Sequence, residues 1–366
     1  MKIAMLGHKQ VPSRQGGIEV AVEALAVRMA QQGHDVTLYN RGKNTAITTN
    51  LYNGVHICSV PVIALSGISA VMGSVFAVLR AVFGRYDCIH IHAEGPALMA
   101  FLPRMLGIRT VVTIHGLDWQ RSKWGNFASW YLKLGEKCAA KYADELIVLS
   151  RATQEYFRKQ YGRETVCIPN GVEPMQRREA SIITRQWGLE KDSYILFLGR
   201  IVPEKELLTL INSFSNVNTD KKLVIAGSPK DMPGYYERVR EAAKDPRIQF
   251  VGFAQGKVQE ELFSNSYLYC LPSALEGMPI SLLEALSFGN CCVCSDIAEC
   301  TEVIGEHGFS FPVGSEEALR DLLQQLCDQP ALVADCKNRV ARDFTPMSWD
   351  VVAERTLELY QPGESR

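Results

Sequence analysis

Residues 2–39 have the sequence KIAMLGHKQVPSRQGGIEVAVEALAVRMAQQGHDVTLY, which predicts a complete strand–helix–strand unit. A short apolar run at its start is followed by a polar loop with two adjacent glycines, and then by apolar residues at helical spacing. These apolar residues are Ile18, Val22, Leu25 and Met29. A second apolar run, DVTLY, closes the unit, and such a unit is typical of a parallel β-sheet covered by crossover helices.

The same alternation of strands and helices continues through both halves of the chain. In the first half the further strand-like runs are VHICS (55–59), DCIHIH (87–92), RTVVTIH (109–115) and DELIVLS (144–150). After a polar stretch, the second series is SYILFLG (193–199), KLVIAG (222–227), RIQFVG (247–252), YLYCLP (267–272) and CVCSDI (292–297). We therefore predict an α/β fold of two doubly wound parallel-sheet domains, at 1–172 and 190–345, facing each other across a cleft. A closing helix within 346–366 is expected to return to the first domain.

The amino-acid composition argues against some classes of function. The 366 residues include 39 basic and 40 acidic side chains, so the chain lacks the positive excess with which proteins coat nucleic acid. Its eleven cysteines show no spacing with histidine that is typical of zinc ligands. Those in the apolar run CVCSDI are expected to be buried, as in a protein from a reducing compartment. The first apolar run is too short for the core of a signal peptide, so we expect a cytoplasmic location.

One segment has the length of a membrane span. Residues 60–79 contain no charged side chain and end before Arg80. The segment also contains Pro61 and two glycines, and it lies between two strand-like runs that a spanning helix would separate. A crossover helix is therefore favoured, with peripheral contact to the inner face of a membrane as a further possibility.

Two loops that follow strands carry features suited to a diphosphate. Gly16 and Gly17 precede the first helix, where glycines let the backbone approach a phosphate or a sugar, although such a pair is also common in plain turns. They do not form the G-x-G-x-x-G pattern of dinucleotide-binding proteins. Arg200 and Lys205 follow a strand of the second series, where two cations can neutralise a diphosphate or can be solvated surface charges. The chain contains no Asp-x-Asp motif that would chelate a metal for the same purpose.

The segment EGMPISLLE carries two carboxylates eight positions apart, Glu276 and Glu284. The Gly-Met-Pro sequence predicts that Glu276 lies on a loop and that Glu284 lies in the first turn of a helix. One carboxylate can then bind sugar hydroxyls and the other a ribose, while the amides of 277–281 face the ligand. Alternatively, Glu284 forms a capping box with Ser281 and only closes the end of the helix.

Taken together, EGMPISLLE, GRIVPEK, IPNGV, TIHG and PSRQGGIE resemble the motifs of retaining GT-B glycosyltransferases of the family 4 type. The resemblance covers essentially the whole chain, in the right order, and implies two Rossmann-like domains. The early P-x-x-x-G-G-x-E pattern is similar to that of bacterial enzymes of cell-surface polysaccharide synthesis. One position departs from the family, because Glu206 follows Lys205 where glycine is common. We expect its carboxylate to turn away from the diphosphate and to interact with the helix N-terminus.

The resemblance also implies roles for individual residues. By this resemblance Arg200 and Lys205 hold the diphosphate, Glu276 contacts the donor sugar, and Glu284 binds the ribose. Gly277, Met278, Pro279 and Ile280 shape the loop around the sugar, Gly16 and Gly17 approach it, and His115 matches a histidine near it. Asp118 faces the acceptor or forms a turn. The aromatic and basic run at 119–133 lines an acceptor groove or is an amphipathic helix with Trp and Tyr on its buried face.

The function implied is the transfer of a hexose from a nucleotide diphosphate to a saccharide or a polyprenyl-linked acceptor. UDP is the expected nucleotide. No metal or other cofactor is expected, and no nucleic acid is expected as a partner. The alternatives are a GT-B epimerase, an inverting transferase, and a non-catalytic protein that binds nucleotide sugars, while a dehydrogenase is disfavoured.

Overall fold

Two parallel β-sheets organise the computed structural model of the chain, each at the centre of its own unit. Unit 1 comprises Met1–Gly171 and Met347–Arg366, and unit 2 comprises Val172–Pro346. The structure describes residues 1–14, 16–42, 49–62, 68–121, 124–230 and 232–361, without the side chains of 68–70. The prediction of two doubly wound α/β domains is confirmed.

Unit 1 contains an eight-stranded sheet in the order β3-β4-β2-β1-β5-β6-β7-β8. Its strands are β1 (Lys2–Leu6), β2 (Asp35–Arg41), β3 (Leu51–Tyr52), β4 (Val55–Val60), β5 (Cys88–His92), β6 (Arg109–Ile114), β7 (Glu145–Val148) and β8 (Val166–Cys167). All neighbouring strands pair in parallel except β3, which is antiparallel to β4. The sequence prediction missed β3 and β8, because a strand of two residues shows no alternation of apolar and polar positions.

In the described part of unit 1, six α-helices connect these strands. They are α1 (Gly17–Gln31), α2 (Ile68–Val82), α3 (Glu94–Ala97), α4 (Phe101–Met105), α5 (Asn126–Tyr142) and α6 (Arg151–Tyr161). From β4 onward the connections run toward β8, whereas α1 connects β1 to β2 in the opposite direction. Since parallel crossovers are right-handed, α2, α4 and α5 cover one face of the sheet and α1 covers the other.

Helix α2 lies in the uncharged segment that the sequence singled out, and it joins β4 to β5 as a crossover helix should. Residues 63–67 of that segment lie outside the described part of the chain. Among the described residues, no helix has both the length and the apolar character needed to cross a bilayer.

Unit 2 contains a six-stranded sheet in the order β11-β10-β9-β12-β13-β14, with every pair parallel. Its strands are β9 (Tyr194–Leu198), β10 (Lys222–Ala226), β11 (Ile248–Gly252), β12 (Leu268–Leu271), β13 (Cys292–Ser295) and β14 (Gly308–Phe311). Its helices are α7 (Ile182–Trp187), α8 (Leu207–Ser215), α9 (Pro233–Ala242), α10 (Lys257–Asn265), α11 (Ile280–Ser287), α12 (Ala298–Ile304), α13 (Glu316–Asp328) and α14 (Pro330–Asp343). The cysteines of β13 are buried and free, as predicted.

The last helix, α15 (Trp349–Glu358), belongs to unit 1 and packs against α1. Trp349 is buried, and its backbone lies so close to Gly171 that a Cβ there would be 2.7 Å from the Trp349 nitrogen. The Tyr360 hydroxyl lies 2.5 Å from Nδ1 of His90 in β5. Arg109 of β6 donates to the Leu359 carbonyl at 3.2 and 3.0 Å. The C-terminal segment is therefore fixed to the central strands of unit 1.

Helices α3 and α5 approach each other at Gly135. A Cβ at this position would lie 2.0 Å from the carbonyl oxygen of Glu94. Glycine in the middle of a helix is otherwise unfavourable, so its presence here reflects the close contact of the two backbones.

Gly135→Ala is expected to destabilise unit 1 by about 3 kcal/mol, because backbone atoms must move to admit the methyl group. Gly125→Ala is the control, since a Cβ at Gly125 meets nothing within 4 Å. Because Gly125 is the N-cap of α5, its effect should be up to about 1 kcal/mol. Urea unfolding of the two variants measures the difference. Equal stabilities would show that α3 and α5 do not constrain each other at this point.

Candidate functional site

The order of strands in unit 2 creates one point where the chain diverges to both sides of the sheet. From β9 the chain continues to β10 on one side, while β12 lies on the other side of β9. In open parallel sheets, ligands bind at the carboxyl ends of the strands at this switch point. The loops that leave these two ends are Gly199–Lys205 and Pro272–Glu276.

Lys205 and Glu276 form an ion pair across these two loops, with Lys205 Nζ donating to Glu276 Oε1. Their side chains are 12% and 11% exposed, so the pair is largely shielded from water while remaining accessible. The loops are also joined by a backbone hydrogen bond of 2.9 Å from the Ala274 amide to the Glu204 carbonyl. The structure therefore brings together two residues that the sequence predicted for one site.

Arg200 is the second residue after β9 and is half-buried. Within the described part of the chain, its guanidinium has no hydrogen-bond or ion-pair partner, in contrast to Lys205. The backbone beside it is closely packed, because a Cβ at Gly227 would lie 2.4 Å from the Gly199 carbonyl oxygen. Arg200 thus adds a second positive charge, beside that of Lys205, to the loop that follows β9.

Glu276 lies on a loop, as predicted, but the start of α11 differs from the prediction in two respects. The helix begins at Ile280, so Glu284 is its fifth residue and lies in the second turn rather than the first. The capping-box alternative is wrong, because Ser281 lies inside the helix and its hydroxyl is 2.8 Å from the Tyr269 hydroxyl. Glu284 instead accepts a hydrogen bond of 3.1 Å from Gln259. Glu284 is partly buried.

The loop that precedes α11 is held in the protein interior. Gly277 and Pro279 are buried, and Met278 and Ile280 are partly buried, with Met278 packed against the core of unit 2. Pro279 occupies the position before the first helical residue, and its carbonyl accepts from the amides of Leu282 and Leu283. A loop held in this way presents its backbone in one fixed arrangement.

Glu206, the departure from the family pattern, has a left-handed backbone with φ 48°. This conformation favours glycine and explains why glycine is common at the position. The Glu206 carboxylate accepts a hydrogen bond of 2.9 Å from the hydroxyl of Thr209. It therefore engages the first turn of α8, as predicted.

The sheet of unit 1 has its own switch point, between β1 and β5. Gly16 and Gly17 stand at the start of α1, as predicted, and Gly16 has an extended backbone with φ −149°. The Glu19 carboxylate folds back over this loop, where it accepts from the Lys9 amide at 2.9 Å and leaves no room for a Cβ at Gly16. Gly16 therefore permits the close approach of Glu19.

Four histidines are gathered around the same switch point, and sequence reasoning identified only His115. His8 follows β1, His90 and His92 lie on β5, and His115 follows β6. His8 Nε2 lies 2.9 Å from Asn40 Oδ1, and His92 Nδ1 lies 3.0 Å from His115 Nε2. His90 is bonded on both nitrogens, to Tyr360 and, at 2.7 Å, to Thr113. The signal in the sequence was the spacing of two in HIH, which places His90 and His92 on one face of a strand.

Burial keeps these imidazoles neutral. It lowers the pKa of His8 to about 4, although the bond to Asn40 opposes the shift. It lowers the pKa of His90 to about 3 and that of His115 to about 4, and the pKa of His92 falls well below its usual value. Neutral imidazoles can donate one hydrogen bond and accept another.

Asp118 begins a short turn and accepts a hydrogen bond of 2.6 Å from Arg121 Nε. The buried side chain of Glu94, which the sequence prediction missed, lies near it. Burial raises the pKa of Glu94 to about 10, and the negative charges of Asp118 and Glu136 add to the shift. Glu94 is therefore protonated at neutral pH. Its exposure is too low for direct contact with a ligand.

The aromatic run after Asp118 is divided between the interior and the surface. Trp119 donates to the buried carboxylate of Glu136 at 3.0 Å, and Tyr131 donates to the Gly95 carbonyl at 3.0 Å. Phe127 and Trp130 are 78% and 58% exposed. The interpretation of an amphipathic helix with Trp and Tyr on its buried face is therefore wrong for Trp130.

In the described residues, no group of three His, Cys, Asp or Glu side chains is arranged to hold a metal ion.

Each of the two units matches a family of known proteins. Residues 15–176 match Glycosyltransferase Family 4, and residues 180–343 match Glycosyl transferases group 1. An uncharacterized glycosyltransferase of Methanocaldococcus jannaschii is 26% identical over 99% of this chain and 98% of its own length. The UDP-Gal:alpha-D-GlcNAc-diphosphoundecaprenol alpha-1,3-galactosyltransferase of Escherichia coli is 25% identical over 71% of this chain and 72% of its own length. The structure of Anabaena HepE with UDP-glucose covers 98% of both chains, with a TM-score of 0.81 and 17% identity.

The neutral histidines predict how stability depends on pH. The folded-state pKa of His8, about 4, lies below the value of about 6.5 for an unfolded chain. Its stabilising contribution is therefore complete above about pH 6.5 and is lost as the pH falls toward 4, with a loss of about 2 kcal/mol by pH 5. His90 acts in the same direction.

Urea unfolding at pH 7.5 and pH 5 should show this fall. His56→Gln is the control, because His56 is exposed, and its profile should run parallel to that of the natural protein. A free energy of unfolding that stays constant from pH 7.5 to pH 5 would contradict the assignment of neutral, buried imidazoles.

Proposed function

Because this chain is a GT-B glycosyltransferase of family 4, we propose that it transfers the hexose of a UDP-hexose to an acceptor hydroxyl with retention of anomeric configuration. The observation that carries the proposal is the Lys205–Glu276 ion pair at the ends of β9 and β12, next to Arg200. This arrangement combines cations for a diphosphate with a carboxylate for sugar hydroxyls.

The ion pair has a specific use in this reaction. Without a donor, Lys205 and Glu276 neutralise each other in a poorly hydrated place. When the nucleotide sugar binds, Lys205 turns toward the diphosphate together with Arg200, and Glu276 accepts hydrogen bonds from the sugar. Neither charge is then left buried without a partner, which would be costly.

The chemical step is a front-face substitution. The bond between the anomeric carbon and the phosphate oxygen breaks, and the acceptor oxygen bonds to the same face of that carbon. The acceptor proton moves to the departing phosphate oxygen, so no protein base or nucleophile is required. Arg200 and Lys205 stabilise the negative charge that develops on the diphosphate. Two cations in this position support a reaction without a metal ion, as the lack of an Asp-x-Asp motif suggested.

The remaining predicted residues are also proposed to contact the substrates. Glu284, on the second turn of α11, binds the ribose, and the loop Gly277–Ile280 surrounds the sugar. In unit 1, Gly16, Gly17 and His115 contact the sugar, and Asp118 serves the acceptor. These roles come from the family resemblance, and the placement of the residues at strand ends supports them.

The names of similar proteins support the choice of substrates. The relative from Escherichia coli is named for UDP-galactose and a diphosphoundecaprenol acceptor, and the HepE structure contains UDP-glucose. We propose a UDP-hexose as donor and a polyprenyl-linked or saccharide acceptor, in the synthesis of a bacterial surface polysaccharide.

A panel of UDP, GDP and dTDP sugars tests the donor. UDP sugars should raise the unfolding temperature most, and the best donor should then be turned over with a lipid-linked acceptor, giving a product whose retained configuration is visible by NMR.

Lys205→Ala should lower kcat/KM by about 100-fold or more, because it removes charge stabilisation from the leaving group. Lys191→Ala is the control, since Lys191 is exposed and precedes β9 at the opposite end of the strand.

Three outcomes would overturn parts of the proposal. An inverted product would exclude the front-face step. Full activity of Lys205→Ala would exclude its role at the diphosphate. Donor binding without turnover on any acceptor would favour the non-catalytic alternative.

We also propose that unit 1 binds a membrane surface through the helical layer of α2, α4 and α5. Large apolar side chains are exposed on all three helices or directly after them. These are Leu79 and Phe83, Met105 and Leu106, and Phe127 and Trp130. Exposed cations accompany them, namely Arg80, Arg85, Arg104, Lys133, Lys137 and Lys141. Glu136, the single acidic residue of the three helices, is buried, so the surface suits anionic lipid.

Co-sedimentation with vesicles of phosphatidylglycerol and phosphatidylcholine tests this surface. The double variant Phe83→Ser/Met105→Ser should bind about tenfold more weakly, since each side chain loses apolar contact with the bilayer. Val351→Ser is the matched control, because Val351 is an exposed apolar residue on α15, which packs with α1 on the other face of the sheet. Binding that is equal in both variants, or insensitive to salt, would exclude this surface.

A further inference from the structure

The contact between His92 and His115 links a buried residue to a residue of the proposed site. His92 Nδ1 and His115 Nε2 are 3.0 Å apart, which requires that one nitrogen carries a proton and the other does not. His92 is completely buried, whereas His115 keeps part of its surface exposed. Within the described chain, His92 is the single hydrogen-bond partner of the His115 ring.

The other nitrogen of His92 decides the direction of this hydrogen bond. His92 Nε2 is buried and has no hydrogen-bond partner among the described residues. If His115 were the donor, neutral His92 would carry its own proton on Nε2, as a buried N–H without an acceptor. Buried N–H groups without a partner are among the rarest features of native proteins. The proton of His92 is therefore better placed on Nδ1, where an acceptor is available.

We propose that His92 is a positioning residue that donates from Nδ1 to His115 Nε2 and so fixes the proton of His115 on Nδ1. The inference rests on the proposed function, in which His115 contacts the sugar. His115 then presents an N–H group at the carboxyl end of β6. This group donates a hydrogen bond to an oxygen of the substrate.

The arrangement defines what His115 does in the reaction. One of its nitrogens carries the proton, and the lone pair of the other is occupied by His92. His115 therefore has no free lone pair with which to remove the acceptor proton. It is a hydrogen-bond donor and not a general base, and the proton leaves with the phosphate oxygen, as the front-face reaction requires.

The surroundings of His92 hold its ring in place. Its ring centroid lies 4.0 Å from that of His90, with 34° between the planes. His90 is itself fixed on both nitrogens, by Thr113 and Tyr360. The backbone of His92 lies against Gly7, where a Cβ would be 2.0 Å from the His92 carbonyl oxygen. A ring fixed in this way can impose one tautomer on its neighbour.

Nitrogen NMR of the protein labelled with 15N-histidine tests the tautomer directly. The chain has seven histidines, and the spectrum of His115→Gln identifies the resonances of His115. Long-range 1H–15N correlations at pH 7.5 should show His115 protonated on Nδ1 and unprotonated on Nε2. Protonation of His115 on Nε2 would overturn the proposal. This measurement needs no substrate, so its result is independent of whether a sugar is transferred.

Two substitutions of His92 separate positioning from packing. His92→Asn keeps an N–H donor close to the place of Nδ1, whereas His92→Phe keeps a ring of similar size without any donor. Activity is measured with the sugar donor and the acceptor substrate that the panel of nucleotide sugars identifies. His92→Asn should retain kcat/KM within about threefold, and His92→Phe should lose about 10–100-fold. The His115 resonances of His92→Phe should also shift toward the Nε2–H tautomer. Full activity of His92→Phe with loss in His92→Asn would show that the ring is needed for packing alone.

Discussion

The parallel pairing of β9 with β12 is the constraint on which the site in unit 2 depends. The register aligns Ile195 with Leu268 and Leu196 with Tyr269, so the two strands end side by side. This pairing brings Lys205 to Glu276 although they are 71 positions apart in the chain. Arg200 and the start of α11 occupy the same edge because they follow the same two strands. A change that shifted this register would separate the cations from the carboxylate even if each loop kept its shape.

Unit 1 applies the same topology with different chemistry. Its switch point between β1 and β5 gathers imidazoles, where unit 2 places an ion pair. Charged groups with little exposure to water must be neutralised, which Lys205 and Glu276 do for each other. Neutral imidazoles need no opposite charge beside them, and they contribute directional hydrogen bonds rather than charge. The switch points of the two units thus differ in charge, with an ion pair in unit 2 and neutral imidazoles in unit 1.

Much of the architecture could be predicted from the sequence, because apolar runs and helical stripes are local signals. The loop position of Glu276 followed from Gly277 and Pro279, which cannot easily continue a regular element. Periodicity does not contain the order of strands in a sheet, so neither the Lys205–Glu276 contact nor the His92–His115 contact was visible. Rules based on local sequence also failed where a contact distant in the sequence determines the position of a side chain. Ser281 resembled a cap, but Tyr269 engages its hydroxyl.

The return of the C-terminal segment to unit 1 has a consequence for how the protein is made. Leu359 and Tyr360, which leave the ribosome after all of unit 2, supply bonding groups to Arg109 and His90 in the centre of the first sheet. Unit 2 is continuous in the chain and has fully emerged before those residues appear. The order in which the units complete folding can therefore reverse their order in the sequence, since the second unit can complete its folding while the first still waits for its final segment.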